Sequence, residues 1–231
     1  MNGVGIVANA LVIGIFGLLG SVLKKTISND SFRILGICIV IVSIVGFFEN
    51  LFTIQNGKLI SDNLPLLLIV LIIGNVLGEK LHINQHLSNL VKSNNAAQNA
   101  VTDSFLYFGI GGLQICGPIT MVMQGDNSQL FLKSMIDIPF AIMFGATYGP
   151  WVALAAIPVA LVQVAIALIT WCMGNFFTEQ IVKELCSLGF IILFFCGYNL
   201  FSQGKNKIDN LNMLPSIFII LLYHGIRMLF I

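Results

Sequence analysis

The chain has 231 residues, a formal net charge of +1, 57% hydrophobic side chains and only 9% charged ones. Soluble domains carry about 25% charged residues, so this composition excludes a water-soluble globular domain, and its near-neutrality gives no electrostatic footprint for nucleic acid. A helix needs about 20 apolar residues to cross the hydrocarbon layer, which leaves room for about eight spans and no attached soluble domain.

The N-terminus lacks the positive n-region of a cleaved signal peptide, so Gly3 to Leu23 is read as a retained first span. Gly3, Gly5, Gly14, Gly17 and Gly20 give it small faces for close packing within the chain or between chains, and Asn9 is its one strongly polar side chain. Lys24, Lys25 and Arg33 flank a polar turn in which Ser28, Asn29 or Asp30 can cap the next helix. Span 2 runs from about Ile34 to Phe52, with Glu49 at its interfacial end. Gln55-Asn56-Gly57-Lys58 is a turn signal. Span 3 opens at Asn63-Leu64-Pro65 and closes at Gly78-Glu79. Residues Lys80 to Gln98 interleave polar and apolar side chains as an interfacial amphipathic helix does. His82 and His86 in it have metal-pair spacing but no third ligand, so no metal or other cofactor is expected.

Span 4 covers about Ala100 to Cys116, and Gly117-Pro118 is expected to break the helix there. Span 5, about Ser128 to Thr147, carries Lys133, Asp137 and Pro139; a re-entrant version of it gives seven spans instead of eight. Span 6 is about Pro150 to Gly174 with Pro158 and Gln163, and span 7 is Glu179 to Phe201. A short basic loop with Lys205 and Lys207 leads to span 8, Asn212 to Ile231, which holds His224 and Arg227. The five cysteines form no C-x-x-C pair; four read as small hydrophobes, and Cys116, beside the expected break, either packs likewise or lines the site. With the N-terminus outside, inner loops hold Lys24, Lys25, Arg33, Lys80, Lys92, Lys205 and Lys207 against Lys58, Lys133, Lys183 and Arg227 elsewhere, in the sense of the positive-inside rule.

The chain also resembles itself at an offset near 150. Asn63-Leu64-Pro65 matches Met213-Leu214-Pro215, Arg33 and Leu35 match Lys183 and Leu185, and Asn50-Leu51-Phe52 matches Asn199-Leu200-Phe201. Spans 1 to 3 (residues 1–79) then repeat as spans 6 to 8 (residues 150–231) around a central region (residues 80–149) in one polytopic domain, 1–231. Two intervening spans make the repeat inverted, a plan common in secondary transporters, whose ligands bind at broken helices near the midplane. The expected fold is therefore all-α and integral to the membrane, with a three-span inverted repeat.

The same plan picks out Asn9, Gly117, Pro118, Thr120, Gln124, Lys133, Asp137 and Gln163 as candidate substrate- and ion-binding residues. A charge at bilayer depth costs roughly 3 kcal/mol, so Lys133 and Asp137, four apart on one helix face, either pair or serve a ligand. A half-helix starting after Gly117-Pro118 would aim N–H groups into a cavity. The bland alternative is a fixed ion pair, or a lysine that snorkels to the surface.

Cys116-Gly117-Pro118, Gly125-Asp126, Lys133-Ser134, Asp137, Pro158 and Gln163, with Asn9-Ala10 and Gly74 to Glu79, resemble in order a bacterial membrane family catalogued as domain of unknown function 554. The resemblance covers most of the chain and implies a multi-pass protein of the bacterial cytoplasmic membrane. It implies no substrate. The residues themselves read as a secondary transporter of a small polar or anionic solute, coupled to sodium or protons. A passive channel and a scaffold or accessory subunit are the rivals. An enzyme is not expected, for want of a Ser/His/Asp set, an H-E-x-x-H motif or clustered carboxylates. A homodimer is compatible with the glycine faces.

Overall fold

A computed structural model describes residues 3–23, 29–61, 63–83, 85–86, 95–109, 112–174, 176–203 and 208–230. The basic loops at Lys24-Lys25 and Lys205-Lys207, and most of the interfacial segment expected over 80–98, lie outside them. Nine helices are described: α1 (Val4–Val22), α2 (Asn29–Leu51), α3 (Leu64–Lys80), α4 (Ala96–Gly109), α5 (Gly112–Gln124), α6 (Ser128–Tyr148), α7 (Ala156–Cys172), α8 (Glu179–Phe201) and α9 (Pro215–Phe230). Among the described residues six helical segments are long and apolar enough to cross a membrane, and the α4–α5 pair, bent by 60°, makes a seventh if it counts as one span. Helix α3 has 17 residues, about 25 Å at 1.5 Å per residue, at the lower limit for a span.

The helices are dry inside and greasy outside. Along α1 the stripe Ile6, Asn9, Ile13, Gly17 and Gly20 is buried, while Val4, Val7, Leu11, Ile15 and Leu18 are exposed. An apolar stripe of that length is unstable against water and natural against lipid tails.

The one departure from an all-helical chain among the described residues is a hairpin, β1 (Thr53–Gln55) and β2 (Lys58–Ile60). Its register pairs Gln55 with Lys58, leaving Asn56-Gly57 as a two-residue turn with φ of 51° and 71°. Positive φ at both positions is the type I′ geometry that Asn-Gly favours.

The chain folds as two compact units, each assembled from two separate stretches of sequence. Unit 1 joins Met1–Ser31 to Leu87–Gly174 and so contains α1 and α4 to α7. Within it α1 and α6 run parallel and close together. A Cβ on Gly20 would strike the Ile142 backbone, one on Gly145 the Gly17 carbonyl, and one on Gly5 the Leu130 side chain. Small residues permit that approach. Three glycines of the α1 face are thus occupied within the chain, and Gly14 alone on that helix interior has open space. Gly149, at φ 85°, ends α6 in a left-handed conformation, its N–H bonding the Gly145 carbonyl. Pro158 sits in the first turn of α7, where a missing N–H is harmless.

Unit 2 joins Phe32–His86 to Asn175–Ile231 and contains most of α2, with the hairpin, α3, α8 and α9. Gly36 of α2 meets Gly197 and Phe201 of α8, and Gly46 meets the Phe190 ring. Gly74 and Gly78 of α3 lie against Ser216 and Asn212 at the entry to α9.

The break expected at Gly117-Pro118 is not there. Helix α5 runs through both residues, and the chain bends between Gly109 and Gly112 instead. The reason is energetic. Pro118 removes one ladder bond, to the Gln114 carbonyl, whereas Gly109, Gly111 and Gly112 concentrate the residues that resist helix formation by about 1 kcal/mol each. Gly117 serves packing instead, because a Cβ there would approach Leu130 Cδ2 to 2.7 Å.

Candidate functional site

In unit 1 four helices bring five polar side chains to one buried place. Asn9 comes from α1, Gln114 from α5, Lys133 and Asp137 from α6, and Gln163 from α7. Asn9, Gln114 and Gln163 have no exposed surface, and Lys133 and Asp137 retain 5% each. The sequence places each of them on the inward stripe of its helix. Asn9 stands between Ile6 and Ile13, and Lys133 and Asp137 share a face with Leu130 and Phe140. Ile6, Met121, Leu130 and Ala167 form an apolar cluster of their own in the same unit.

The bonding is continuous. Lys133 Nζ and Asn9 Nδ2 both donate to Asp137 Oδ2, each at 2.7 Å. Gln163 Nε2 donates to Asn9 Oδ1 at 3.0 Å and to Gln114 Oε1 at 2.9 Å. Gln114 Nε2 in turn donates to the Val159 carbonyl at 3.0 Å. The pair is neutral as a whole, which offsets part of the cost of burying it, and charge-assisted bonds at this length are the strong kind.

The donor and acceptor inventory leaves a remainder. Both amide hydrogens of Gln163 are used, but its Oε1 is buried without a partner among the described residues. An orphan buried acceptor costs about 1–3 kcal/mol. Lys133 has three ammonium hydrogens, of which one is committed to Asp137. The network therefore offers one acceptor and spare cationic donors to a visiting group.

Asn9, Lys133, Asp137 and Gln163 are brought together, and the remaining candidates are not part of this network. Thr120 is buried but turns its hydroxyl back to the Cys116 carbonyl at 2.7 Å. Gln124 is exposed at the end of α5. Gly117 and Pro118 belong to the body of α5 and present no helix N-terminus. Near that end, Asp126 accepts from the Ser128 N–H and hydroxyl at 2.9 and 2.6 Å, which lowers its carboxyl from the ordinary aspartate value. Among the described residues no three His, Cys, Asp or Glu side chains gather as a metal site.

Sequence reasoning missed Gln114 and, in unit 2, Glu184. Each is a strongly polar residue inside an apolar run, and that burial cost was the available signal.

Known proteins resemble this chain along most of its length. The model of a family described as "Protein of unknown function (DUF554)" matches residues 4–224. The chain belongs to the DUF554 family. It is 28% identical over 222 residues to "Uncharacterized membrane protein YdfK" of Bacillus subtilis (strain 168), covering 93% of each chain. It is 24% identical over 168 residues to "Uncharacterized protein YqgA" of Escherichia coli (strain K12), covering 67% of this chain and 71% of that one. No solved structure matches at the stringency these relatives meet. This DUF554 member is thus a helical membrane protein, in keeping with its relative's name and its own apolar helices.

Proposed function

We propose that this DUF554 protein is a secondary transporter of a small polar or anionic solute, with sodium or proton coupling and no enzymatic activity. One observation carries the reading: a fully buried amide oxygen, Gln163 Oε1, stands unpartnered in a network that also holds a lysine with uncommitted donors. A solute with an anionic group and an N–H or O–H donor would satisfy both.

The eight-span, inverted-repeat plan belongs to the same proposal, and counting crossings supports it. In unit 1, α1 and α6 are parallel neighbours whose N-terminal ends adjoin, through a Gly5 N–H bond to Asn127 Oδ1 at 3.1 Å. Their starts therefore lie on one side of the membrane. An even number of crossings must separate them, which α1, α2, α3 and a single α4–α5 span provide. In unit 2, the start of α3 meets the first turns of α8 through Asn63 and Glu184. Crossings by α3, α4–α5, α6 and α7 again make an even number. A re-entrant α4–α5 would make both counts odd. Each unit also draws equivalent helices from both repeats, α1 with α7 in unit 1, and α2 and α3 with α8 and α9 in unit 2. With the N-terminus outside the bacterial cytoplasmic membrane, the loops richer in Lys and Arg fall inside.

Reconstitution tests the function. Purified protein in liposomes, given a sodium or proton gradient and a panel of small carboxylates and amino acids, should show saturable, gradient-driven uptake. Uptake should vanish in folded Asp137→Asn and Lys133→Met variants. Full uptake after exchanging the two charges would return the pair to a structural role, and non-saturable, gradient-independent flux would mean a channel.

A further inference from the structure

Unit 2 holds a second buried charge cluster, built on different principles. Glu184 of α8 and His224 of α9 are buried to within a few per cent, and His224 Nε2 lies 2.6 Å from Glu184 Oε2. The carboxylate can only accept, so a neutral His224 carries its proton on Nε2 and donates it. Glu184 Oε1 accepts from Asn63 Nδ2 and from Gln180 Nε2, the latter at 3.0 Å.

This carboxylate lines a cavity of about 550 Å³, which also takes in Asn50, Thr53, Asn63, Gln180 and Lys183. The volume suits a small organic ligand. Its chemistry is one-sided. Asn50 Nδ2 donates to the Gly46 carbonyl at 2.7 Å, and the Asn63 and Gln180 amides donate to Glu184. Three amides thus commit donors to the protein and leave their carbonyl oxygens without a described protein donor.

The charge balance has the same sign. Glu179 and Lys183 pair with each other at 2.6 Å. Helices α2 and α3 contribute the neutral Asn50 and Asn63. His224 of α9 does not line the cavity and reaches it through Glu184, with the Tyr223 ring 5.1 Å from the imidazole. With His224 neutral, two carboxylates face one ammonium and the cavity carries a net single negative charge.

We propose that this cavity binds a small organic ammonium, and that a proton on His224 competes with it. With the imidazole protonated, the Glu184–His224 pair is neutral and the attraction is lost. Binding the cation releases that proton to solvent, leaving the carboxylate to the ligand. The inference concerns binding alone and does not rest on the carrier reading. A competing proton makes the apparent affinity fall as the pH falls.

Isothermal titration of the full chain in detergent tests this with methylammonium chloride, against sodium chloride at equal ionic strength. We expect saturable methylammonium binding at pH 8.5, at least tenfold weaker binding at pH 5.5, and proton release measured by comparing two buffers of different ionisation enthalpy. Glu184→Gln should abolish binding. His224→Gln should keep it at pH 8.5 and flatten its pH dependence. Asn50→Ala, at the half-buried rim, should weaken it with the fold intact by circular dichroism. Binding no tighter than that of sodium would overturn the ligand class, as would affinity unchanged in folded Glu184→Gln. An unaltered pH dependence in His224→Gln would remove the proton competition. Because no transport is read, loss of the carrier reading would leave this result standing.

Discussion

The two units each bury a pair of ionisable side chains, and the pairs solve the same problem in opposite ways. Lys133 and Asp137 come from one helix, and three amides from three other helices close around them. Glu184 and His224 come from two helices, and their carboxylate faces a cavity. The first pair sets an ammonium donor against a carboxylate within one helix and is closed in by amides. The second sets a carboxylate against an imidazole across two helices. The contrast separates a pair enclosed by neighbouring side chains from one that borders open space.

The largest expected effect breaks the first pair. Lys133→Met leaves Asp137 buried without its counter-ion and should cost about 3–5 kcal/mol, read as a lowered denaturation midpoint in detergent. Adding Asp137→Leu should recover most of it, because removing both charges removes the desolvation penalty as well. A single variant that melted like the wild type would mean that Lys133 and Asp137 do not depend on each other.

Glu184→Gln sharpens the comparison with a smaller loss, since it keeps an acceptor oxygen for Asn63 and Gln180. Hydrogen bonds to a charged group are worth about 1.5–3 kcal/mol, and a thermal melt should show a drop within that range. A drop exceeding that of Lys133→Met would reverse the ranking of the two pairs.

Next in size is packing. Gly145→Ala puts a Cβ against the Gly17 carbonyl in unit 1, and Gly78→Ala puts one against the Asn212 carbonyl in unit 2. Overpacking of this kind costs about 1–3 kcal/mol, and similar losses are expected in both units. Thr178→Ala removes the oxygen that accepts from the Ile181 N–H at the start of α8 and should cost about 1 kcal/mol.

The smallest effect is that of Asp126. Its carboxyl titrates below the ordinary value of 3.8 because Ser128 donates to it twice. A lowered folded value gives stability that is present above pH 3.8 and lost as pH falls through the lowered one. Melting temperatures of wild type and Asp126→Asn should therefore differ at pH 5 and converge toward pH 2.5.

The sequence made some of this legible and concealed the rest for physical reasons. Lys133 and Asp137 stood out because two charges four residues apart in an apolar run have to meet. Asn9 and Gln163 stood out as lone amides in their spans. Gln114 did not, because glycines and the Gly117-Pro118 pair beside it drew attention to a break instead. That break was misplaced because proline forfeits one bond while three glycines weaken a whole turn. Glu184 was hidden by its place near a helix start, where a glutamate ordinarily meets the interface. Beyond Gln180 on its own helix, its partners lie 40 and 121 residues away, a distance no local pattern spans. The Asn-Gly turn was readable, but strands of three residues carry too little alternation to be seen.

That hairpin has a practical consequence. Thr53 begins its first strand and also lines the Glu184 cavity, while a Cβ on Gly57 at its tip would meet nothing within 4 Å. Gly57 itself must keep its positive φ, so a single labelling cysteine belongs at the exposed Lys58 beside it. Whichever compartment's impermeant reagent reaches it identifies the side from which the neighbouring cavity is filled.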